Sequence, residues 1–291
     1  RPSHMTTPRA TIEDIILDRD RRGISALRTH LPDDFCGQAA RLILDNPGHV
    51  LICTGFYILG AKAPETDGPP GAYFLGKALD ALGFSTTYVT DRYSAFLFDG
   101  LVPADSVVEF PITDVPTSEQ FADDLLARLQ PSVVVSIERC GATASGDYLN
   151  MRGVDISQYN AKLDYLVLHH SATVGVGDGG NEIGMGSLAE HIPGVDTLPD
   201  DPTVTPVDRL VLASVSNWGG YGIIAAMSEL SELNLLPTVE SEEEVIRHMV
   251  DLGAVDGIEV RPVYSVDGFP LEENRVTLER LHVYLAEAGI P

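Results

Sequence analysis

Apolar residues in this chain fall into two repeating patterns. Short continuous runs at 50–54, 86–90, 107–110, 133–137 and 210–216 read as strands buried on both faces of a sheet. Between them, apolar residues recur at helical spacing over 35–44, 71–82, 118–129, 241–252 and 270–288. Ser118 and Ser241 read as N-caps, with acids following each near the positive end of its helix. Residues 11–27 continue the helical spacing around a charged block at 18–22, 157–168 begins helical, and 257–260 reads as a last strand. Strand and helix alternate throughout. The expected fold is α/β, an open, mostly parallel, doubly wound (Rossmann-like) sheet with helices on both faces. No repeat or linker interrupts it, so a single domain over 5–291 is expected.

Such a sheet gathers ligands at the carboxyl ends of its strands. Four unusual loops follow predicted strands there: 55–71, 138–153, 178–186 and 217–222. The third closes a stretch reading ATVGVGDGGNEIGMGS over 172–187, where Gly179 and Gly180 surround Asp178, Asn181 and Glu182. Glycine at this density lets backbone turn sharply or approach a ligand. The alternative is a strand-to-helix turn with an Asp/Asn cap. The first loop carries Glu65 and Asp67 two apart before a rigid Pro-Pro, which either aims both acids at one point or forms a solvated turn. In the second, Glu138 and Arg139 directly follow a buried strand, with Tyr148 and Arg152 beyond. Arg139 or Arg152 could grip a substrate carboxylate in a bidentate pair, or serve as an internal salt bridge. The fourth contains Asn217, the only tryptophan Trp218, and Tyr221 among glycines. Its aromatics are either pocket wall or core.

Net charge is −24, from 43 acids against 19 bases, of which only Lys62, Lys77 and Lys162 are lysines. That surface repels phosphate backbones and anionic lipid, so nucleic-acid and membrane-surface binding are not expected. Cys36, Cys53 and Cys140 are odd in number and widely spaced, which points to a reduced, cytoplasmic setting without a disulfide framework. Residues 1–4 read as a cloning remnant before an initiating Met5. The uncharged segment 210–227 is near the lower length limit for a membrane span, but serines, an asparagine and glycines in its middle divide it into strand, turn and a helix from about Tyr221.

GDGGNEIGM resembles the magnesium-holding fourth motif of haloacid-dehalogenase phosphatases, yet no Asp pair follows the first strand and Glu182 replaces the motif's second Asp. A broader resemblance covers almost the whole chain. TGF at 54–56, ETDGPPG at 65–71, IER at 137–139, DYLNMRG at 147–153, GVGDGGNEIGMG at 175–186 and SNWGGYG at 216–222 stand in this order, after DRDRR at 18–22. Together they resemble the D-glutamate cyclase family. The resemblance implies a lyase (hydro-lyase) converting D-glutamate to 5-oxo-D-proline and water with a divalent cation, Mg²⁺ or Mn²⁺. In that reading Glu65, Asp67, Asp178 and Glu182 hold the metal, and Glu138 or Glu182 is the base. Arg139 or Arg152 anchors the α-carboxylate. Asn181 and the amides near Gly179 and Gly180 steady developing negative charge, with Tyr148, Asn217, Trp218 and Tyr221 around the substrate. The partner expected is a small amino acid, and a homo-oligomer is left open. A metal-dependent phosphatase and a non-catalytic amino-acid-binding module are the alternatives.

Overall fold

The apolar runs pair as one sheet in the computed structural model of the chain, which describes residues 7–291, so the proposed cloning remnant and Met5 lie outside the described residues. Six strands form it: β1 (His49–Thr54), β2 (Ser85–Thr90), β3 (Val107–Glu109), β4 (Val133–Ile137), β5 (Thr173–Gly177) and β6 (Arg209–Leu212). Their spatial order is β3-β2-β1-β4-β5-β6 and every pairing is parallel. The doubly wound expectation holds.

Alternate residues of the strands feed two cores, as the period of two requires. Val50, Ile52, Val133, Val135, Val174 and Val176 face one cluster, shared with α2 (Phe35–Leu44), α3 (Pro69–Ala81) and α6 (Ser216–Ser231). Leu51, Cys53 and Val134 face the other, covered by α4 (Val115–Leu129) and α5 (Asp164–Leu168). Helix α6 is buried continuously from Ser216 through Ser228, and α7 (Val239–Leu252) and α8 (Leu271–Glu287) close the first face. Among the described residues no helix is long and apolar enough to cross a membrane.

The departures from the sequence pattern have local causes. Helix α1 (Ile12–Leu17) stops at Asp18 instead of running to 27, because the Asp20 carboxylate collects the N–H groups of Arg22, Gly23, Ile24 and Ser25. A 3₁₀ turn, Ile24–His30, follows. Helices α4 and α7 begin earlier than Ser118 and Ser241, since the side chains of Asp114 and Thr238 accept from the first-turn N–H groups of Thr117 and Ser241. Residues 257–260 form a turn rather than a strand, held by Asp256, whose Oδ1 accepts from Ile258 and Glu259 N–H. Residues 216–222 are not a loop at all: they are the opening turns of α6. The segment 157–168 is a short 3₁₀ turn, Ser157–Tyr159, and then α5.

Candidate active site

Strand order reverses between β1 and β4, and the crevice this opens at the carboxyl ends is the expected ligand position in such a sheet. Glu138 is the residue after β4, held at φ +50°, and Asp178 is the residue after β5. Asp67 arrives on the loop leading into α3. Its Oδ1 accepts from Asn217 N–H (2.7 Å) and its Oδ2 from Ser216 N–H (3.0 Å). Asp178 Oδ2 shares that Ser216 N–H at 3.2 Å. Both acids therefore sit at the positive end of the sixteen-residue α6, where unpaired N–H groups favour anions. Ser216 Oγ donates to Glu138 Oε2 at 2.5 Å. Gly68, at φ +110°, makes the convergence sterically feasible: a Cβ there would lie 2.8 Å from that of Glu138.

Two further groups complete the cluster. Asp267 occupies the tight turn of the hairpin Ser265–Val266/Phe269–Pro270, with φ +50° there and +77° at Gly268. Arg22, presented by the Asp20-ordered loop, places Nη1 3.1 Å from Asp267 Oδ2 and 3.3 Å from Asp178 Oδ2. Its Nε and Nη2 make no hydrogen bond or ion pair among the described residues. Glu65 lines the same cavity, its carboxylate beneath Gly257 and without a hydrogen-bond donor among the described residues.

Among the described residues, five buried carboxyls thus crowd together with a single guanidinium among them, and their proton affinities reflect it. Burial, reinforced by the neighbouring acids, lifts Glu65, Asp67 and Glu138 well above the ordinary carboxylate range. Burial also raises Asp178, to about 6, and Asp267, to about 7, although Arg22 pulls both back down. Arg22 in turn holds its proton more tightly than a free guanidinium because of Asp178 and Asp267.

Carboxylate oxygens of Asp67, Asp178 and Asp267 lie within 4.8 Å of one another, and so do those of Glu138, Asp178 and Glu182. Both triads offer only hard oxygen donors, which suit Mg²⁺ or Mn²⁺. The expected foursome of Glu65, Asp67, Asp178 and Glu182 is not one cluster. Asp178 belongs to both triads and Glu65 to neither, because Glu65 lies under Gly257 on the cavity wall. The cavity holds about 500 Å³, with Glu65, Glu138, Asp178, Asp267, Arg22 and Asn181 around its polar part. A groove of about 660 Å³ beside α3 and α7 is larger but contains none of these acids.

Other expected site residues have different positions. Glu182 is fully buried and ties the glycine loop down, accepting from Asp178 N–H (3.0 Å) and Gly180 N–H (2.8 Å). Gly180 needs its φ of +108°, and a side chain at Gly179 would strike Met151 Sδ at 2.7 Å. Asn181 reaches the cavity with its Oδ1 buried and unpartnered, while its Nδ2 donates to Leu149 C=O. Arg139 does not reach the site. It is 1% exposed and donates to Gly55 C=O, Ala161 C=O and Asp91 Oδ2, the internal salt bridge that was its alternative reading. Tyr148 is likewise internal, donating to Asp164 Oδ1. Asn217 spends its amide on Gly68 N–H, Gly71 N–H and Thr66 C=O, fixing the Asp67 loop. Trp218 is core, against Phe269 and donating to Asn274, and Tyr221 is buried beside Glu242. Arg152 stands exposed at the cavity mouth.

Sequence reasoning missed Arg22, Ser216 and Asp267 as site residues. Asp267-Gly268 between apolar neighbours was a readable hairpin signal. Nothing in the charged block at 18–22 distinguished Arg22 from its neighbours.

Residues 12–282 match the family described as D-glutamate cyclase-like, C-terminal. The chain is 30% identical over 286 residues to "D-glutamate cyclase, mitochondrial" of Homo sapiens, covering 82% of this chain and 46% of that relative, so it spans about half the relative's length. A crystal structure of an exopolyphosphatase-related protein from Bacteroides fragilis superposes with a TM-score of 0.44 at 9% identity, over 90% of this chain and 58% of that one.

Proposed function

Because the chain belongs to the D-glutamate cyclase-like family, we propose that it closes D-glutamate to 5-oxo-D-proline with release of water. The observation that carries this reading is the buried floor at the strand-order reversal, where Glu65, Glu138, Asp178 and Asp267 line one cavity with Arg22 and Asp67 stands behind them. Cyclisation has two obstacles. The α-amine is protonated at neutral pH, and a carboxylate is a poor electrophile with a poor leaving oxygen. A site for it needs a base near neutrality and a proton source beside it, and pairs of carboxyls with separated proton affinities provide both.

Arg22 keeps Nε and Nη2 free to hold the α-carboxylate in a charge-assisted pair. The unpartnered Oδ1 of Asn181 accepts from the substrate ammonium. Asp178, poised near 6, or Asp267, near 7, takes the ammonium proton. Glu138, held protonated by burial and gripped by Ser216 Oγ, delivers a proton to the departing oxygen. Folding the substrate so that nitrogen meets the γ-carbon recovers part of the roughly 7–11 kcal/mol available from proximity. A divalent cation fits the all-oxygen donor set: Asp67, Asp178 and Asp267, or Glu138, Asp178 and Glu182, would hold it as carboxylates. It would offset the γ-carboxylate's charge in place of a proton from Glu138, and the acid outside the occupied triad, Glu138 or Asp267, would serve as base.

The test follows metal-stripped protein by NMR with D-glutamate, L-glutamate and 5-oxo-D-proline, each with and without Mg²⁺ or Mn²⁺. Ring closure of the D-isomer, restored by the cation, is the expected result. No turnover of either isomer by folded protein would overturn the reading.

A further inference from the structure

The upper half of the same cavity has a different chemistry from its floor. Ile58, Met151, Val154, Ile258 and Val260 line it, drawn from three separate segments, with Asn150 and Arg152 beside them. Met151, Val154, Ile258 and Val260 are 38%, 43%, 56% and 37% exposed, four of the thirteen large apolar side chains that the described residues leave open to water. Apolar groups gathered around one mouth mark a binding surface rather than chance exposure. Val260 adds an independent sign. It sits at φ +56°, a region that β-branched residues avoid, and it reaches across to Gly60, where a Cβ would lie 3.1 Å from its Cγ1. Such a conformation persists only where the surrounding structure over-determines it, here the turn held by Asp256, and that turn fixes Val260 at the mouth.

Free D-glutamate does not need this rim. It has about ten non-hydrogen atoms, whereas a 500 Å³ cavity lies in the roughly 300–1,000 Å³ range that takes drug-sized ligands. Charge argues the same way. Among the described residues Arg22 is the one cation among the floor acids, and the α-carboxylate takes its free nitrogens, so a neutral γ-carbonyl leaves no second carboxylate buried without a cation.

We propose that the site also accepts D-glutamate whose γ-carboxyl is an amide of an apolar amine, with the apolar group lying against Ile58, Met151, Val154, Ile258 and Val260. The inference rests on the cyclase reading and extends its substrate class. The α-amine loses a proton to a floor carboxylate and attacks the γ-carbonyl carbon, forming the ring C–N bond. The bond from that carbon to the apolar amine then breaks, and a floor carboxyl returns the proton to the leaving nitrogen. The products are 5-oxo-D-proline and the free amine, with no co-reactant consumed. The departing group lies outward, because Arg22 holds the α-carboxylate at the floor.

The experiment compares D-glutamate with D-glutamate γ-hexylamide on the metal-loaded protein, following 5-oxo-D-proline and hexylamine by NMR. The hexylamide is expected to show the higher kcat/KM. In Val154→Asp and in Ile258→Asp, both at water-facing positions, the ratio of hexylamide to D-glutamate kcat/KM should fall roughly tenfold, since charge replaces apolar contact. Turnover of D-glutamate with no turnover of the hexylamide overturns this proposal and leaves the cyclase reading standing. Turnover of the hexylamide alone supports the proposal and removes D-glutamate as substrate, whereas no turnover of either overturns both. An unchanged ratio in both Asp variants overturns the role of the rim.

Discussion

Asp178 is the residue on which the site's interactions meet. It faces Arg22, shares the Ser216 N–H with Asp67 and belongs to both carboxylate triads. Asp178→Asn keeps the shape and removes the basic oxygen, so kcat/KM should drop at least about 100-fold, the scale of losing a general base. Circular dichroism should show the fold intact, and turnover at the parent rate would remove Asp178 from the chemistry. Arg22 works on the same acids from the other side, lowering the proton affinity of both Asp178 and Asp267. In Arg22→Gln both carboxyls should therefore titrate higher, and the acid limb of the kcat/KM–pH profile should shift to higher pH. Stability should also fall by about 2–3 kcal/mol in urea unfolding, below the full cost of breaking a buried pair because Arg22 is 21% exposed. An unmoved acid limb would show that neither carboxyl is the base.

The elements explain why these side chains converge. Helix α6 enters directly over the sheet, and its glycines let it come close. Gly220 and Gly71 bring α6 and α3 together, with a Cβ at Gly220 only 3.4 Å from Gly71 Cα. Gly219 faces β5, and a Cβ there would lie 2.4 Å from Val176 Cγ1. Ala for Gly inside a helix ordinarily adds stability. Gly219→Ala should instead cost about 1–3 kcal/mol by overpacking, and a stabilised variant in urea unfolding would contradict this packing. The same glycines account for what the pattern left unread. Glycine-rich residues 217–222 read as a loop because glycine weakens isolated helices, yet here tertiary contact decides. The strands were legible since parallel, doubly buried strands are unbroken apolar runs. The acids at 65, 67, 138 and 178 were legible because loops after such strands carry function. Arg22 and Asp267 were not, as each reaches the crevice only through the fold: one by the Asp20 turn, the other by a hairpin more than 240 residues later. Tyr148 was misread, and Arg139 was left open between substrate grip and salt bridge, for a related reason, since a loop position cannot say which way a side chain turns.

At the scale of the whole molecule, the buried acids put the site in tension with folding. Asp178 and Asp267 rise from 3.8 to about 6 and about 7 in the folded protein. Between roughly pH 4 and 7 the folded state therefore keeps protons that the unfolded chain has already released. Stability falls with rising pH wherever the folded state binds more protons, at up to about 1.4 kcal/mol per pH unit for each group. A net charge of −24 adds self-repulsion of the same sign. Metal-stripped protein should accordingly melt at a lower temperature at pH 8 than at pH 5. A divalent cation binds the ionised carboxylates and not their protonated forms, so Mg²⁺ or Mn²⁺ should raise the melting temperature more at pH 8 than at pH 5. Asp178→Asn combined with Asp267→Asn should flatten the pH dependence and shrink the cation effect together, because the same oxygens are responsible for both. Calorimetry across this range decides the matter. A melting temperature that rises from pH 5 to pH 8 without cation, or a cation effect larger at pH 5, would mean that these carboxyls are already compensated within the fold and that the site does not call for a metal.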